Sequence, residues 1–206
     1  MKKVTRSHLL LLVVVAIVFA WSAWRPYDRF TWWLEIAPAL AAIALLLTTY
    51  RRFRFTTICY ALMALHICVL CIGGHYSYAR VPAFDWLREH FGWERNHYDR
   101  VGHFMQGFVP AIITREFFIR LDVVKRQTWR PFLIVSVCLA ISAFYELTEW
   151  WAALIGGSAA DDFLGSQGDP WDTQADMLIA LTGAASALLL LWRFHDRALR
   201  KIETTS

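Results

Sequence analysis

Three groups of acidic and imidazole side chains lie at the edges of long apolar segments of this sequence. On an α-helix, residues three, four and seven positions apart share one face. The stripes with this spacing are Asp99–His103–Gln106, Ser142–Glu146–Glu149 and Asp169–Asp172–Asp176. Ionisable groups are costly inside a bilayer and usually serve a function there. The stripes therefore predict a functional site, provided that their helices bring them to the same depth.

Carboxylates and an imidazole with little sulfur match a divalent cation site of Mg, Mn or Zn type. Without a cation, some crowded carboxylates must hold protons or pair with Arg100. That guanidinium is also a candidate clamp for a lipid phosphate. One hypothesis is hydrolysis or transfer on a lipid or cell-envelope precursor by metal-activated water. A second is a proton-coupled transporter or binding protein for lipids or small molecules, gated by Asp176 or Glu146. A third is a structural or assembly factor.

Residue type and depth give each candidate a role. The candidate catalytic residues are Asp99, His103, Glu146 and Asp176. The candidate metal ligands are Asp99, His103, Glu146, Asp172 and Asp176. The candidate substrate-binding residues are Arg100, Gln106, Glu149 and Gln174.

Helix capping is a structural alternative for part of the third stripe. Asp169 before Pro170 fits an N-cap with proline at the first helical position. Asp172 stands where a capping box places an acid. Capping does not explain Glu146 or Asp176, which are deeper in their segments.

The remaining candidates also have structural alternatives. Asp99 fits an acid in the first turn of a helix, where it interacts favourably with the helix dipole. Glu149 can reach the water of the head-group region, and His103 can be a hydrogen-bonded polar residue inside the bundle.

The elements that must position these residues are membrane spans. Of 206 residues, 57% are hydrophobic and 18% are charged, which is too apolar for a soluble domain of this length. We predict an all-α polytopic helix bundle, a single integral membrane domain over residues 1–206. The predicted spans are Leu9–Trp24, Trp32–Tyr50, Thr56–Tyr76, Arg100–Ile119, Pro131–Trp151 and Asp172–Phe194. An interfacial helix is predicted at about 82–95 and an acidic outer loop at about 156–171.

Basic residues predict the orientation of these spans. With both termini in the cytoplasm, 15 Lys and Arg residues fall inside and 6 outside, as the positive-inside rule requires. The basic pI of about 9.0 then reflects contact with anionic lipids and not with nucleic acid. The expected partners are membrane lipids, with a lipid phosphate as a possible ligand of the site.

Cysteine spacing offers a weaker metal motif. Cys68 and Cys71 precede His75 by seven and four residues, a spacing that resembles metal ligands. No fourth ligand is visible, so packing inside the bundle is the favoured interpretation. Nothing in the sequence requires a disulfide framework.

Three sequence strings resemble a known family. They are YDRVGHFMQGFVPAIITRE, ELTEWW and DDFLGSQGDPWDTQADM. They are similar to the YjdF-like family of bacterial inner-membrane proteins, over about Trp86 to Ala185. The resemblance implies a multi-pass protein of the bacterial inner (plasma) membrane, and it implies no particular reaction.

A more distant resemblance is to the VanZ-like superfamily, which is linked to glycopeptide resistance and the cell envelope. The first element of that pattern is matched by Asp99, Arg100, His103 and Phe104. Glu146 fits the second element, but Glu149 replaces the expected Gln. Asp172 and Asp176 fit the third, whereas Ala180 stands where Asn is expected. Because of these departures from the VanZ-like pattern, its ligand roles do not transfer directly to the last helix of this chain.

Overall fold

A computed structural model describes residues 5–157 and 161–203, and these ranges contain helices and no strands. The α-helices are α1 (Arg6–Ala23), α2 (Arg29–Thr49), α3 (Thr57–Tyr76), α4 (Pro82–Phe91), α5 (Tyr98–Arg120), α6 (Arg130–Gly156), α7 (Asp161–Leu164) and α8 (Asp172–Glu203). A 3₁₀ turn, Gln127–Trp129, precedes α6. The prediction of an all-α helix bundle is confirmed.

Within the described residues, five helices are long and apolar enough to cross a membrane: α1, α2, α3, α6 and α8. Many of their large apolar side chains are exposed on the outer surface of the bundle, as a lipid-facing surface requires. The sixth predicted span, α5, has 23 residues and a length of about 35 Å, but its sequence is more polar. It packs against α3, α6 and α8. That α5 crosses the membrane remains a prediction.

Helices α5 and α8 lie in direct backbone contact, and two glycines permit it. A Cβ atom added at Gly107 would lie 1.7 Å from the carbonyl oxygen of Ala180, and one at Gly183 would lie 2.1 Å from that of Phe104. Ala180 is fully buried in this contact. The close approach brings the polar stripes of α5 and α8 within reach of each other.

The two segments outside the long helices differ in detail from the sequence prediction. Helix α4 ends at Phe91 because Gly92 adopts a left-handed conformation with φ of +66°. The predicted 156–171 loop contains the short helix α7, whose Phe163 is buried. The interfacial position of α4 remains a prediction.

A buried polar network joins α3, α5 and α8 at the opposite end from the polar stripes. Glu116 accepts hydrogen bonds from the backbone N–H of Thr56 at 2.9 Å and from Arg120 at 2.8 Å. His195 Nε2 lies 3.1 Å from Glu116 Oε2. Arg115 donates to His195 Nδ1 at 2.8 Å, so Nε2 carries the ring proton and donates to Glu116. The sequence did not predict this network: Glu116 lies within the predicted span Arg100–Ile119, but His195 lies one residue beyond the predicted span Asp172–Phe194.

Candidate functional site

Two arginines neutralise the acidic stripe of α8. Arg100 forms an ion pair with Asp176 and places Nη2 2.7 Å from Asp172 Oδ1. Arg95 binds the same Asp172 oxygen. Asp169 Oδ2 lies 3.3 Å from Arg100 Nη2 and 3.5 Å from Arg95 Nη1. Because burial strengthens ion pairs and makes unpaired charges costly, this layer fixes the start of α8 against α5.

Arg95 was not predicted as a site residue, and a loop contact explains its position. Asn96 and Gln167 exchange two hydrogen bonds of 2.9 Å, from Asn96 N to Gln167 Oε1 and from Gln167 Nε2 to the Asn96 carbonyl. Arg95 also donates to the carbonyl oxygen of Gly165 at 3.2 Å. Arg95 lies in the loop before α5, so no helical spacing in the sequence relates it to Asp99.

His103 is the point where the three predicted stripes meet. Its Nε2 lies 3.5 Å from Asp99 Oδ1 and 3.7 Å from Asp176 Oδ1. Its Nδ1 lies 3.3 Å from Gln106 Oε1 and 3.6 Å from Glu146 Oε1. Carboxylates from α5, α6 and α8 thus surround one imidazole at one end of the bundle.

Two carboxylate oxygens of this cluster are buried and lack a hydrogen-bond partner among the described residues. They are Asp99 Oδ2 and Glu146 Oε1, on side chains whose residues are only 8% and 7% exposed. The nearest cation to Asp99 Oδ2 is Arg95 Nη2, at 3.6 Å. A buried carboxylate that is incompletely satisfied is unfavourable. The cluster therefore has unused capacity for a positively charged ligand.

The donor set fits a divalent cation. One ligand atom each from Asp99, His103 and Asp176 lies within 4.8 Å of the others, and all three residues are buried. Two carboxylates and an imidazole suit Mg, Mn or Zn. If His103 Nε2 binds the cation, Nδ1 carries the proton and donates it to Gln106 Oε1 at 3.3 Å, and such a second hydrogen bond commonly orients metal-binding histidines. His103, Glu146 and Glu149 form a second possible donor group.

A cavity of about 710 Å³ adjoins the cluster between α2, α3, α5, α6 and α7. Most lining residues are apolar, while Asp99, His103 and Gln106 lie on the α5 wall. Glu35 of α2 also lines the cavity and is 4% exposed, and it accepts a hydrogen bond from the Tyr145 hydroxyl at 3.1 Å. Glu35 is a site residue that the sequence did not predict, because no other acidic residue lies at helical spacing from it on α2.

Tyr78 closes the end of the cavity where α3 leads into the next loop. Its ring packs against Gly102 and Gly73, where a Cβ atom would approach the ring to 2.9 Å and 2.3 Å. Burial raises the pKa of the Tyr78 phenol well above its usual value. Tyr78 is therefore a neutral hydroxyl at physiological pH.

Of the remaining predicted substrate-binding residues, Glu149 lies at the cavity and Gln174 does not. Glu149 is half-buried and lines the cavity. Gln174 is exposed and has no polar contact with a described residue. It is two residues from both Asp172 and Asp176, so it faces away from their side of α8.

Asp169 stabilises the turn before α8 and does not cap the helix directly, although the capping alternative had predicted a direct cap. Its Oδ1 accepts a hydrogen bond from the backbone N–H of Trp171 at 2.9 Å, which stabilises the turn before α8. The helix begins at Asp172, so Pro170 is not its first residue as expected. The Asp172 carboxylate binds the two arginines and makes no capping hydrogen bond among the described residues.

We do not assign a second cation site to the cysteines. Cys68 and Cys71 join no metal-binding cluster of the described residues, and His75 Nδ1 lies 3.0 Å from the Ser22 carbonyl. Cys59, Glu116 and His195 are close enough to hold a metal. In that network His195 Nε2 carries the proton and donates it to Glu116, so this nitrogen is not available as a metal ligand.

Comparison with known proteins gives the family. The family model described as "Predicted membrane protein (DUF2238)" matches residues 7–197. The chain is similar to "Inner membrane protein YjdF" of Escherichia coli (strain K12), with 46% identity over 189 residues, covering 92% of this chain and 90% of that protein. No solved structure matches the chain. The VanZ-like resemblance remains a prediction. The chain is thus a multi-pass inner-membrane protein and belongs to the DUF2238 family of predicted membrane proteins.

Proposed function

We propose that this protein binds a divalent cation at Asp99, His103 and Asp176 and catalyses hydrolysis or transfer at the phosphate of a lipid or lipid-linked cell-envelope precursor. The observation that carries the proposal is a pair of buried carboxylate oxygens, which accept no hydrogen bond from a described residue, flanking one imidazole beside an apolar cavity. A structural cluster would be expected to satisfy these oxygens internally.

The residues have distinct roles in this proposal. A cation bound to the cluster would lower the pKa of a bound water and stabilise charge on a phosphoryl oxygen. Gln106 orients His103 by accepting a hydrogen bond from Nδ1 at 3.3 Å, and Glu146 places a negative charge 3.6 Å from the same nitrogen. Arg100 and Arg95 supply positive charge beside the cation, where they match the geometry of a phosphate. The apolar walls of the cavity accommodate the hydrocarbon part of the substrate.

Phosphate release from lipid phosphates tests the proposal. The purified protein is incubated with dioctanoyl phosphatidic acid or undecaprenyl diphosphate and with Mg²⁺, Mn²⁺ or Zn²⁺. We expect metal-dependent release of inorganic phosphate, reduced by on the order of 100-fold in Asp99→Asn. Asp85→Asn is the matched control, because Asp85 lies on α4 outside the cluster. Release that is independent of metal and unchanged in Asp99→Asn, or absent with both lipids, would argue against the proposal.

A proton-coupled carrier is the second candidate, and Glu35 favours it. This acid is buried on the cavity wall, and its hydrogen bond comes from a neutral tyrosine hydroxyl. Such a group can change protonation as the cavity opens and closes. In proteoliposomes, pH-dependent movement of a fluorescent phosphatidic acid that needs Glu35, Glu146 and Asp176 but no metal would support the carrier. Normal growth and envelope integrity in cells carrying all these variants would favour a structural or assembly role.

A further inference from the structure

A second groove lies between α1, α2 and α3, and it shares three lining residues, Leu46, Met63 and Ile67, with the cavity beside the site. It has a volume of about 240 Å³ and is lined by 14 residues. Ten of them are apolar or small, and the polar ones are His8, Tyr50, Arg51 and Tyr60. All four polar residues lie where α1 begins, α2 ends and α3 begins. The groove thus has one polar end and a long apolar remainder.

At the polar end of the groove, hydrogen bonds hold one side chain in place, while another has a hydroxyl without a hydrogen-bond partner among the described residues. His8 is fixed between the Tyr50 hydroxyl, 2.8 Å from Nδ1, and the Thr57 hydroxyl, 3.1 Å from Nε2. The Tyr60 ring packs against His8 with centroids 4.4 Å apart. Within the described ranges, the buried Tyr60 hydroxyl has no hydrogen-bond partner. Arg51 is exposed and forms no ion pair with a described residue.

The positive charge near the polar end of the groove favours an anionic ligand. Arg52 and Arg54 follow Arg51 directly in the chain, and Arg54 stacks on the Tyr50 ring at 4.6 Å. Clusters of arginine next to a membrane span attract anionic lipids. A guanidinium and a hydroxyl donor are also the groups that bind a phosphate diester well.

We infer that this groove is a binding site for one anionic phospholipid. Its phosphate accepts hydrogen bonds from Arg51 and from the Tyr60 hydroxyl, and one acyl chain lies along the apolar walls of α1, α2 and α3. The groove adjoins the cavity of the proposed function through Leu46, Met63 and Ile67, but its polar end, with His8, Arg51 and Tyr60, is not part of that cavity. On the predicted orientation, the lipid belongs to the cytoplasmic leaflet.

Lipid retention measured by native mass spectrometry tests this inference. The protein is reconstituted in phosphatidylcholine nanodiscs that contain a minor fraction of phosphatidylglycerol, and then released from them in the spectrometer. We expect wild type to retain one phosphatidylglycerol in preference to phosphatidylcholine. Arg51→Gln should weaken retention about tenfold, as loss of a charge-assisted hydrogen bond does.

Two further variants make the result specific. Arg52→Gln removes the same charge from an exposed neighbour that does not line the groove, and it should retain the lipid as wild type does. Tyr60→Phe removes only the unpartnered hydroxyl, and it should also weaken retention without affecting the fold. Equal losses in Arg51→Gln and Arg52→Gln, or no preference for phosphatidylglycerol in wild type, would overturn the inference.

Discussion

Arg100 is the residue on which the acidic layer most depends. It pairs with Asp176 and Asp172, whose side chains are 2% and 10% exposed. Removing one partner of a buried ion pair costs roughly 3–5 kcal/mol, because the remaining charge is left unpaired. We therefore expect Arg100→Gln to lower the melting temperature strongly, as followed by circular dichroism in detergent.

Arg88 supplies the matched comparison for this prediction. It pairs with Asp85 at 3.4 Å on α4, with side chains 36% and 32% exposed. Exposed pairs contribute about 0–1 kcal/mol, so Arg88→Gln should melt close to wild type. Similar melting temperatures for the two variants would show that the Arg100 layer is not a major source of stability.

At the residue scale, the sequence predicted the members of the cluster that share helical spacing. Asp99, His103 and Glu146 could be identified because their intervals place them on inward faces at one depth. Glu35 and Arg95 could not be identified in this way. Glu35 lies alone on α2, and Arg95 precedes α5 in a loop positioned by contacts with residues more than 60 positions away.

The contact between α5 and α8 is the element-scale feature that assembles the site. Because Gly107 faces the Ala180 carbonyl, Gly107→Ala forces the helices apart at a cost of about 1–3 kcal/mol. We expect a lower melting temperature and weakened Mn²⁺ binding, measured by electron paramagnetic resonance. Gly74→Ala is the control, since its nearest neighbour, Glu35 Cβ, would be 3.2 Å away and can adjust. Equal effects of the two substitutions would contradict this role for the close contact.

The sequence predicted the long helices more completely than the segments that connect them. The long apolar runs identified α1, α2, α3, α6 and α8 because hydropathy and length suffice for that. The end of α4 and the helical turn α7 depend on left-handed glycines and on the burial of Phe163. These are properties of tertiary contacts, which hydropathy does not report.

At the scale of the whole molecule, six crossings, with α5 as the sixth, would place both termini on one side of the membrane, which we predict to be the cytoplasmic side. If α5 crosses, residues 92–97 face the periplasm and residues 121–126 face the cytoplasm. We expect a membrane-impermeant maleimide to label Glu94→Cys but not Val123→Cys in intact spheroplasts, since both positions are exposed. Disrupted spheroplasts should label both, as the control. Labelling of both positions from outside would show that α5 does not cross.

Metal analysis tests most directly whether His103 and its carboxylates hold a divalent cation. Detergent-purified wild type and His103→Ala are dialysed together and measured by inductively coupled plasma mass spectrometry, with His90→Ala as a control on exposed α4. We predict a stoichiometric divalent metal in wild type and His90→Ala that is lost in His103→Ala. No metal in wild type, or equal metal in all three proteins, would contradict the claim.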